Sequence, residues 1–522
     1  MQLSRRGFLQ SVGMGAALAG AGAYRGSHAD LASPDVFIPL ASTTLRPQET
    51  TCGPFPTNSL FAALEPCCIG EPLAEGEMRI TFLGTSCTPM PAQVGVSVYV
   101  EVGPTHEVAG RLPAPLDYAM FDCGMGILGN AVAAGIPYSR MDKIFIAHLH
   151  ADHMSELSSI YCFGESADRK SPLYVWGPSR SNVPDPVTGQ IYDDGTRAIL
   201  THFREVWRWH TESFSFGANG YTAYDPDVKD KWGLPVDPVP VGPAYVVDEN
   251  GAFVGTDYAD PPNDAYALVP IELDWTKYGE VEDDNIAYWN QETGLKITHF
   301  PAIHCRKGSI SYKLEWTPPG QPDTTLSMIY SGDTRPNFTM VDQAAGIDVL
   351  VHEMVMPPDR WTMKFAHTDD PSGLDPAALA YFANVQNSSH TTQGAFGYLL
   401  SQIDPLPRLT VATHFQATDD TIELARESID GHGVSRDAYT FALDFTVLNV
   451  TADSITQRRL DVARHAFPWG GEPTPTPLTV PKYHKETVNA EGETVLVGDP
   501  EAQLLLEDAI LPGADTYRAD GY

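Results

Sequence analysis

Three histidines and one aspartate lie within six residues of each other, at His148, His150, Asp152 and His153. They directly follow the apolar run 144–147, which is typical of a buried strand that ends at its exposed edge. His148 and His150 lie two apart on an extended segment, so they point to the same side and could hold one metal ion, while Asp152 and His153 could reach a second. Imidazole and carboxylate ligands without thiolate suit zinc, and also iron or manganese. The alternative is a histidine-rich surface loop that binds no metal.

Further polar residues that can bind metal stand where other apolar strands end. Asp333, Glu353 and His414 each follow such a strand. The three strands are predicted at 326–330, 347–351 and 409–413. Sites in layered α/β proteins form where strand ends converge, so we expect these residues to share one cleft with the histidine cluster.

The strand and helix pattern also predicts how the chain is divided. With 522 residues the chain can bury a large core. Short strands with helices between them start near residue 78 and indicate an α/β layered domain. A tract rich in Pro, Asp, Tyr and Gly interrupts this pattern and is typical of an elaborated insertion. The predicted parts are a signal peptide at 1–29, an N-terminal strap at 30–77, a catalytic domain at 78–455 with an insertion at 180–296, and a C-terminal extension at 456–522.

The N-terminus has the layout of a twin-arginine signal peptide. Arg5 and Arg6 precede a weakly apolar Gly/Ala-rich stretch, and the small-residue sequence Ser27-His28-Ala29 offers a cleavage site after Ala29. The alternative is an ordinary basic N-terminus. We therefore expect export by the twin-arginine machinery, no membrane association after cleavage, and a periplasmic or secreted protein.

The charge balance restricts the partners expected from sequence. Lys and Arg total 33 against 67 Asp and Glu, giving a formal net charge of −34. Such a surface repels phosphate backbones, so we expect a small-molecule substrate and no nucleic-acid partner. A homodimer remains open. The seven cysteines have no Cys-x-x-Cys zinc spacing, and an oxidising compartment would permit a bridge from Cys52 to Cys67 or Cys68.

The order of motifs over roughly 78–455 resembles the metallo-β-lactamase fold superfamily. The motifs are the Gly84-Thr85 turn, Phe121-Asp122-Cys123-Gly124, the His-x-His-x-Asp-His at 148–153, Ser331-Gly332-Asp333-Thr334 and Ala412-Thr413-His414-Phe415. Within that superfamily the chain looks most like the ribonuclease Z branch, because of His304, His352-Glu353 and His390-Thr391-Thr392. The resemblance implies a four-layer αββα sandwich. The histidine motif alone is shared by many chemistries, whereas the features together are specific.

The same resemblance implies a dinuclear metal centre. One metal would be held by His148, His150 and His304. The second would be held by Asp152, His153 and His414, with Asp333 bridging both. His304 is preferred over His299 because it ends the strand before a loop and is followed by Gly308 to Tyr312, which matches the related branch. Two divalent cations, zinc being favoured and iron or manganese the alternatives, would convert a shared water or hydroxide into a nucleophile near neutral pH.

The resemblance further implies how a proton would reach the leaving group. Asp152 would orient the nucleophile, and His390, supported by Glu353, would act as the general acid. The alternatives are that His390 only neighbours a helix N-cap and that Glu353 is a structural carboxylate. His352, His202 and His210 are interpreted as structural.

The sequence therefore favours a metal-dependent hydrolase acting on ester bonds, most plausibly of a small phosphodiester or related ester. The alternatives are hydrolysis of a lactone or β-lactam, or of an aryl sulfate. From a different class, the site could be a di-iron redox centre or a metal-binding scaffold without turnover. Substrate choice would depend on how the 180–296 insertion and the 356–388 loop cover the metals.

Overall fold

The computed structural model describes residues 59–88, 90, 93–107, 112–164, 167–169, 171–207, 210, 244–247, 253–257, 268–278, 284–462, 485–488 and 494–497. The predicted signal peptide, most of the predicted strap and most of the C-terminal extension lie outside these ranges. Cys52 is also outside them, so its predicted bridge stays a prediction. The six cysteines inside them are free thiols.

Twenty strands in the described ranges form two large sheets and two small ones. The strands are Pro66–Cys68 (β1), Met78–Gly84 (β2), Ser97–Val102 (β3), Asp117–Phe121 (β4), Lys143–Phe145 (β5), Leu173–Pro178 (β6), Ala244–Val247 (β7), Phe253–Asp257 (β8), Leu268–Leu273 (β9), Ile286–Asn290 (β10), Leu295–Pro301 (β11), Ile310–Trp316 (β12), Leu326–Tyr330 (β13), Val349–Glu353 (β14), Leu409–Thr413 (β15), Tyr439–Phe441 (β16), Thr446–Val450 (β17), Ile455–Asp461 (β18), Lys485–Val488 (β19) and Thr494–Val497 (β20). The nine-stranded sheet has the order β1-β18-β17-β2-β3-β4-β5-β6-β9, and the seven-stranded sheet runs from β10 to β16 in sequence. The pairs β7-β8 and β19-β20 are separate hairpins.

Ten α-helices accompany the sheets in the described ranges. They are Ser59–Ala62 (α1), Ile127–Ala133 (α2), Ala151–Met154 (α3), Leu157–Gly164 (α4), Thr196–Val206 (α5), Phe338–Ala344 (α6), Pro358–Ala366 (α7), Pro376–Ser389 (α8), Gln393–Gln402 (α9) and Asp419–Asp430 (α10). Short 3-10 turns occur at Tyr138–Arg140, Pro371–Gly373 and Arg436–Ala438. The expected 356–388 loop is therefore two helices, since Pro358 and Pro376 each start a helix in its first turn, where a missing N–H costs nothing. None of the described helices is long and apolar enough to cross a membrane.

The layers follow from which apolar faces meet. One buried cluster joins the facing sides of the two sheets, with Val98 and Phe121 from one sheet and Tyr312 and Met328 from the other. A second cluster packs α2, α4 and α5 on the outside of the first sheet. A third packs α6, α9 and α10 on the outside of the second sheet. This is the predicted four-layer αββα sandwich, and that prediction is confirmed.

The parallel parts of both sheets bring the candidate residues to one edge. Strands β4, β5 and β6 are parallel neighbours in the first sheet, and β13, β14, β15 and β16 in the second. The carboxyl ends of parallel strands meet at the same edge. The loops after β5, β13 and β15, and the end of β14, therefore carry His148, Asp333, His414 and Glu353 to a common place.

Two predicted domain limits cut through strands of these sheets. Within the predicted insertion, β9 pairs with β6 in the first sheet and β10 pairs with β11 in the second. At the other limit, β18 begins at Ile455 and pairs with β17 over residues 455–459. Apolar strand residues such as Leu268 and Tyr288 are buried in the core, so these segments belong to the sandwich and not to additions around it.

Candidate metal centre

Three histidines from two loops form the first group of ligands. His148 and His150 follow β5, and His304 lies in the loop between β11 and β12. His148 Nε2 lies 2.9 Å from His150 Nδ1, and His304 Nε2 lies 3.2 Å from the same His150 atom. Nitrogens this close together on three different rings could coordinate one metal ion.

A second group faces the first across Asp333. It consists of Asp152 and His153 in α3 and His414 after β15. Asp152 Oδ2 lies 3.6 Å from His153 Nε2 and 3.6 Å from His414 Nε2. Together with Asp333 these residues form another set whose ligand atoms could share one metal ion.

Asp333 divides its two carboxylate oxygens between the groups. Oδ2 lies 3.7 Å from His148 Nε2 and 3.7 Å from His304 Nε2. Oδ1 lies 3.2 Å from His153 Nε2 and 3.1 Å from His414 Nε2. One carboxylate therefore has an oxygen available to each of two metal ions.

Gly332 allows Asp333 to approach the histidine loop. Its φ of +54° lies in the left-handed region, and a Cβ at this position would lie 2.4 Å from Ala147 Cβ. A residue with a side chain would push the strand end away from the loop that carries His148.

Buried polar atoms without partners indicate where cations would sit. Among the described residues, His153 Nε2, His414 Nε2 and Asp333 Oδ1 are buried and have no hydrogen-bond partner. Leaving such atoms unsatisfied is costly, and all three point into the second group. The donor set is nitrogen and oxygen only, which fits zinc, iron or manganese.

The pKa shifts of the site leave the first group of rings neutral and place an ionised carboxylate between the two groups. Burial lowers the pKa of His148 well below its usual value and that of His304 to about 4, so both rings are neutral near pH 7. Burial also lowers the pKa of His153 and His414, but the nearby carboxylates raise it by more. Burial raises the pKa of Asp333, and the surrounding histidines lower it by more, so this carboxylate stays ionised. Negative charge therefore remains at the centre of the site and attracts a cation.

Outer hydrogen bonds fix the orientation of two rings. Asp122 Oδ2 lies 2.7 Å from His153 Nδ1, and it also accepts a hydrogen bond from Tyr330 OH at 2.6 Å. The Ser389 carbonyl accepts from His304 Nδ1 at 2.7 Å. Each contact leaves Nε2 of the ring to face the metal positions. The sequence supplied Asp122 only as part of a motif. Asp122 directly follows β4, which is parallel to β5, and this position could have predicted its contact with His153.

Glu353 and His390 lie beside the second group. Glu353 Oε2 lies 2.9 Å from His390 Nδ1, and Glu353 Oε1 accepts from the Thr334 backbone N–H at 2.5 Å. His390 Nδ1 lies 3.7 Å from Asp333 Oδ2, and its side chain is 18% exposed. Burial lowers the pKa of His390, but Glu353 raises it by more. The protonated ring is thus stabilised next to the candidate ligands.

The remaining histidines that were weighed lie in different surroundings. His299 is buried in β11, and its Nδ1 has no partner among the described residues. His352 Nδ1 donates to the Glu353 carbonyl at 2.7 Å. His210 contacts the Cys162 carbonyl, and His202 is exposed on α5. None of them belongs to a metal-competent group of the described chain.

The sandwich and the histidine and aspartate cluster at its edge together define a protein of the metallo-β-lactamase fold. Among sequence relatives, ribonuclease BN of Cronobacter sakazakii is 28% identical over 158 residues, covering 26% of this chain and 49% of that protein. Ribonuclease Z of Nostoc is 31% identical over 134 residues, covering 26% and 37%. Ribonuclease Z of Archaeoglobus fulgidus is 24% identical over 320 residues, covering 59% and 84%. The chain is thus similar to ribonucleases Z and BN over part of its length, and it spans about half or less of the first two relatives.

Solved structures of this kind were also found. A metallo-β-lactamase fold protein of Bacillus subtilis is 12% identical with a TM-score of 0.38, covering 72% of this chain and 100% of that chain. A long-form ribonuclease Z from yeast is 18% identical with a TM-score of 0.38, covering 73% and 42%. No family model matches the sequence.

One sequence-based expectation is wrong. The prediction that nucleic acid would not be a partner conflicts with the relatives, which are ribonucleases. The physical reason is that net charge averages over the whole surface, whereas an active site meets its substrate locally, through metal ions and the side chains around them.

Proposed function

We propose that this protein is a dinuclear metal-dependent hydrolase of phosphodiester bonds. The observation that carries the proposal is Asp333, whose two oxygens face two separate groups of ligands. A carboxylate shared in this way suits a pair of metal ions better than a single one. Zinc is the metal we propose, since the ligand atoms are imidazole nitrogens and carboxylate oxygens.

Two bound divalent cations would activate a water molecule and stabilise the negative charge that develops on the phosphate oxygens. The seven residues that would hold them are His148, His150, Asp152, His153, His304, Asp333 and His414. Asp152 is the most exposed carboxylate of the cluster, with a side chain 26% exposed. It can therefore accept a hydrogen bond from the attacking water and align the water with the phosphorus atom.

His390 would supply the proton that the leaving group needs. Its Nδ1 is held by Glu353, which leaves Nε2 to donate to the leaving oxygen as the bond from phosphorus to that oxygen breaks. An alkoxide is a poor leaving group, so a positioned acid accelerates its departure. The water oxygen becomes part of the phosphate product, and the other fragment leaves as an alcohol.

Both small diesters and RNA carry the bond that this site is suited to cleave. The ribonuclease relatives support RNA as a substrate. The cluster itself selects the phosphodiester group, and the surfaces around it would select the rest of the substrate. The same chemistry could act on a lactone, so the substrate class must be tested directly.

The test compares substrates on purified protein loaded with Zn²⁺. The panel contains bis-p-nitrophenyl phosphate, an RNA with a 3′ extension, a lactone and an aryl sulfate. We expect hydrolysis of the two phosphodiesters, loss of activity in a chelator, and loss in Asp333→Ala. Turnover of the lactone or the aryl sulfate alone would contradict the proposal, and so would tightly bound iron that reacts with oxygen.

We also infer that the protein is exported and works in the periplasm or outside the cell. The basis is the Ser4-Arg5-Arg6-Gly7-Phe8-Leu9-Gln10 segment, which lies outside the described residues. Replacing Arg5 and Arg6 together with Lys should leave the protein in the cytoplasmic fraction. An unchanged distribution between the fractions would contradict export by this route.

A further inference from the structure

His414 has an unusual backbone for a metal ligand. Its φ of +73° lies in the left-handed region, which a non-glycine residue adopts only when its surroundings hold it there. The side chain is buried, and Nε2 lies 3.1 Å from Asp333 Oδ1. The direction of the ring therefore depends on whatever fixes the 414–417 loop.

Gln93 holds this loop through two of its side-chain amide hydrogen bonds. Its Nε2 donates to the Phe415 carbonyl at 2.9 Å, and its Oε1 accepts from the Ala417 backbone N–H at 2.9 Å. The second Nε2 hydrogen goes to Thr85 Oγ1 at 2.9 Å. Gln93 is only 3% exposed, so water does not replace these bonds when they are lost.

Thr85 connects the same network to the His414 backbone. The Thr85 carbonyl accepts from the His414 N–H at 3.0 Å. Thr85 Oγ1 donates to Asp444 Oδ1 at 2.7 Å, and Asp444 Oδ2 accepts from the Val94 N–H at 2.8 Å. His414 and the residues that follow it are thus tied to one buried set of hydrogen-bonded residues.

We propose that Gln93 is a positioning residue for the second metal site, because it keeps His414 in the left-handed conformation that aims Nε2 at Asp333. Gln93 does not touch a ligand side chain in any described contact, and it acts through the backbone at Phe415 and Ala417. Without these bonds the loop can relax to a negative φ and turn the ring away. The inference rests on the proposed dinuclear site and goes further by assigning a residue that sets the affinity of one half of it.

The test measures zinc binding by the metal-free full-length protein. Competition with a chelating dye and native mass spectrometry give the affinity and the number of bound ions. We expect Gln93→Met to weaken the second zinc equivalent by about 10- to 100-fold, as for other residues that orient a ligand, and to leave the first unchanged. In protein that also carries His150→Ala, the first group of ligands is incomplete and strong zinc binding depends on the second group. Adding Gln93→Met to that protein should remove the remaining strong zinc binding.

Two further variants make the result specific. Gln93→Glu keeps the acceptor for Ala417 but loses both donors, so it should weaken the same equivalent even if Gln93→Met folds poorly. Gln457→Met is the matched control, because Gln457 also bonds a backbone carbonyl and a threonine hydroxyl, at 3.2 Å and 2.8 Å, in a part of the sheet that holds no ligand. It should bind zinc like the wild type.

The outcomes separate this inference from the proposed function. If the wild type binds a single zinc ion or none, the dinuclear site itself is wrong. If the wild type binds two and both folded Gln93 variants bind two with unchanged affinity, only the role of Gln93 is overturned. Weakening of both equivalents to the same extent would also overturn it, because a general loosening of the fold would explain that result.

Discussion

Asp333 differs from the other candidate ligands because both of its oxygens are needed. Each oxygen lies within 3.7 Å of the Nε2 atoms of two candidate ligands, and the residue is 2% exposed. His390 Nδ1 lies 3.7 Å from Asp333 Oδ2 and is bonded to Glu353. At the scale of single residues, metal binding and proton donation are therefore assigned to different side chains and can be separated by mutation.

Replacing His390 tests that separation. His390→Ala should keep two metal ions and lower turnover of an alkyl phosphodiester by about 10²- to 10⁴-fold, because the alkoxide then leaves without a proton. Turnover of a p-nitrophenyl ester should fall far less, since p-nitrophenolate needs no acid. Steady-state rates and metal content measure both effects.

His432→Ala is the control for this substitution, because His432 is exposed and outside the metal-competent groups of the described chain. Its rates and metal content should match the wild type. A fall in the metal content of His390→Ala would assign His390 to metal binding and would exclude its role as the acid.

At the scale of elements, the strands carry the candidate ligands at one end and a buried ion pair at the other. Lys143 begins β5 and forms a buried ion pair with Asp117, which begins β4. Asp117 also accepts from Tyr288 OH at 2.9 Å and Thr293 Oγ1 at 2.7 Å, both from the region of β10. This network joins the two sheets at the edge opposite the candidate metal centre.

Breaking that pair should affect stability and leave the metal site intact. Lys143→Met leaves a buried carboxylate without its cation, which should lower the free energy of unfolding by about 3–5 kcal/mol. Zinc stoichiometry should not change, because the ligands lie at the other ends of the strands. Chemical denaturation of the metal-free protein, with zinc titration in parallel, measures the two quantities.

Lys313→Met provides the comparison. Lys313 lies 3.6 Å from Glu315, and the two side chains are 19% and 40% exposed. A partly exposed pair of this kind contributes about 0–1 kcal/mol. Equal destabilisation by Lys143→Met and Lys313→Met would show that the Lys143–Asp117 network does not stabilise the contact between the sheets at this edge.

At the scale of the whole molecule, a buried neutral histidine makes the fold sensitive to acid. Burial lowers the pKa of His299 to about 4, against an ordinary value of about 6.5. As pH falls below about 6.5, the imidazole of His299 becomes protonated in the unfolded chain but stays neutral in the folded chain. The free energy of unfolding therefore decreases progressively from about pH 6.5 toward pH 4. The loss from this residue is at most about 3 kcal/mol.

His299→Leu should therefore lose less stability than the wild type between pH 7 and pH 4.5. Denaturation curves of metal-free protein at several pH values measure the difference in slope. His202→Leu removes an exposed histidine and should keep the wild-type slope. Equal slopes for His299→Leu and the wild type would show that His299 does not contribute to acid sensitivity.

Much of the fold could be predicted because its signals are local. The apolar runs before His148, Asp333, Glu353 and His414 correspond to β5, β13, β14 and β15. The two helices between Glu353 and His390 were missed, because polar and aromatic residues on their faces leave no clear apolar period. The strands β9 and β10 were missed because they occur inside a tract dominated by turn-forming residues.

The sequence by itself determined the types of candidate ligand and their order along the chain. The reason is that local spacing places four metal-binding side chains within the six residues 148–153. The tertiary structure decided what depends on distance between strands. It showed that Asp333 faces both groups, that Asp122 orients His153, and that Gln93 ties down the loop of His414 from more than 300 positions away. Such contacts arise from the packing of two sheets against each other, and no periodicity in the chain encodes them.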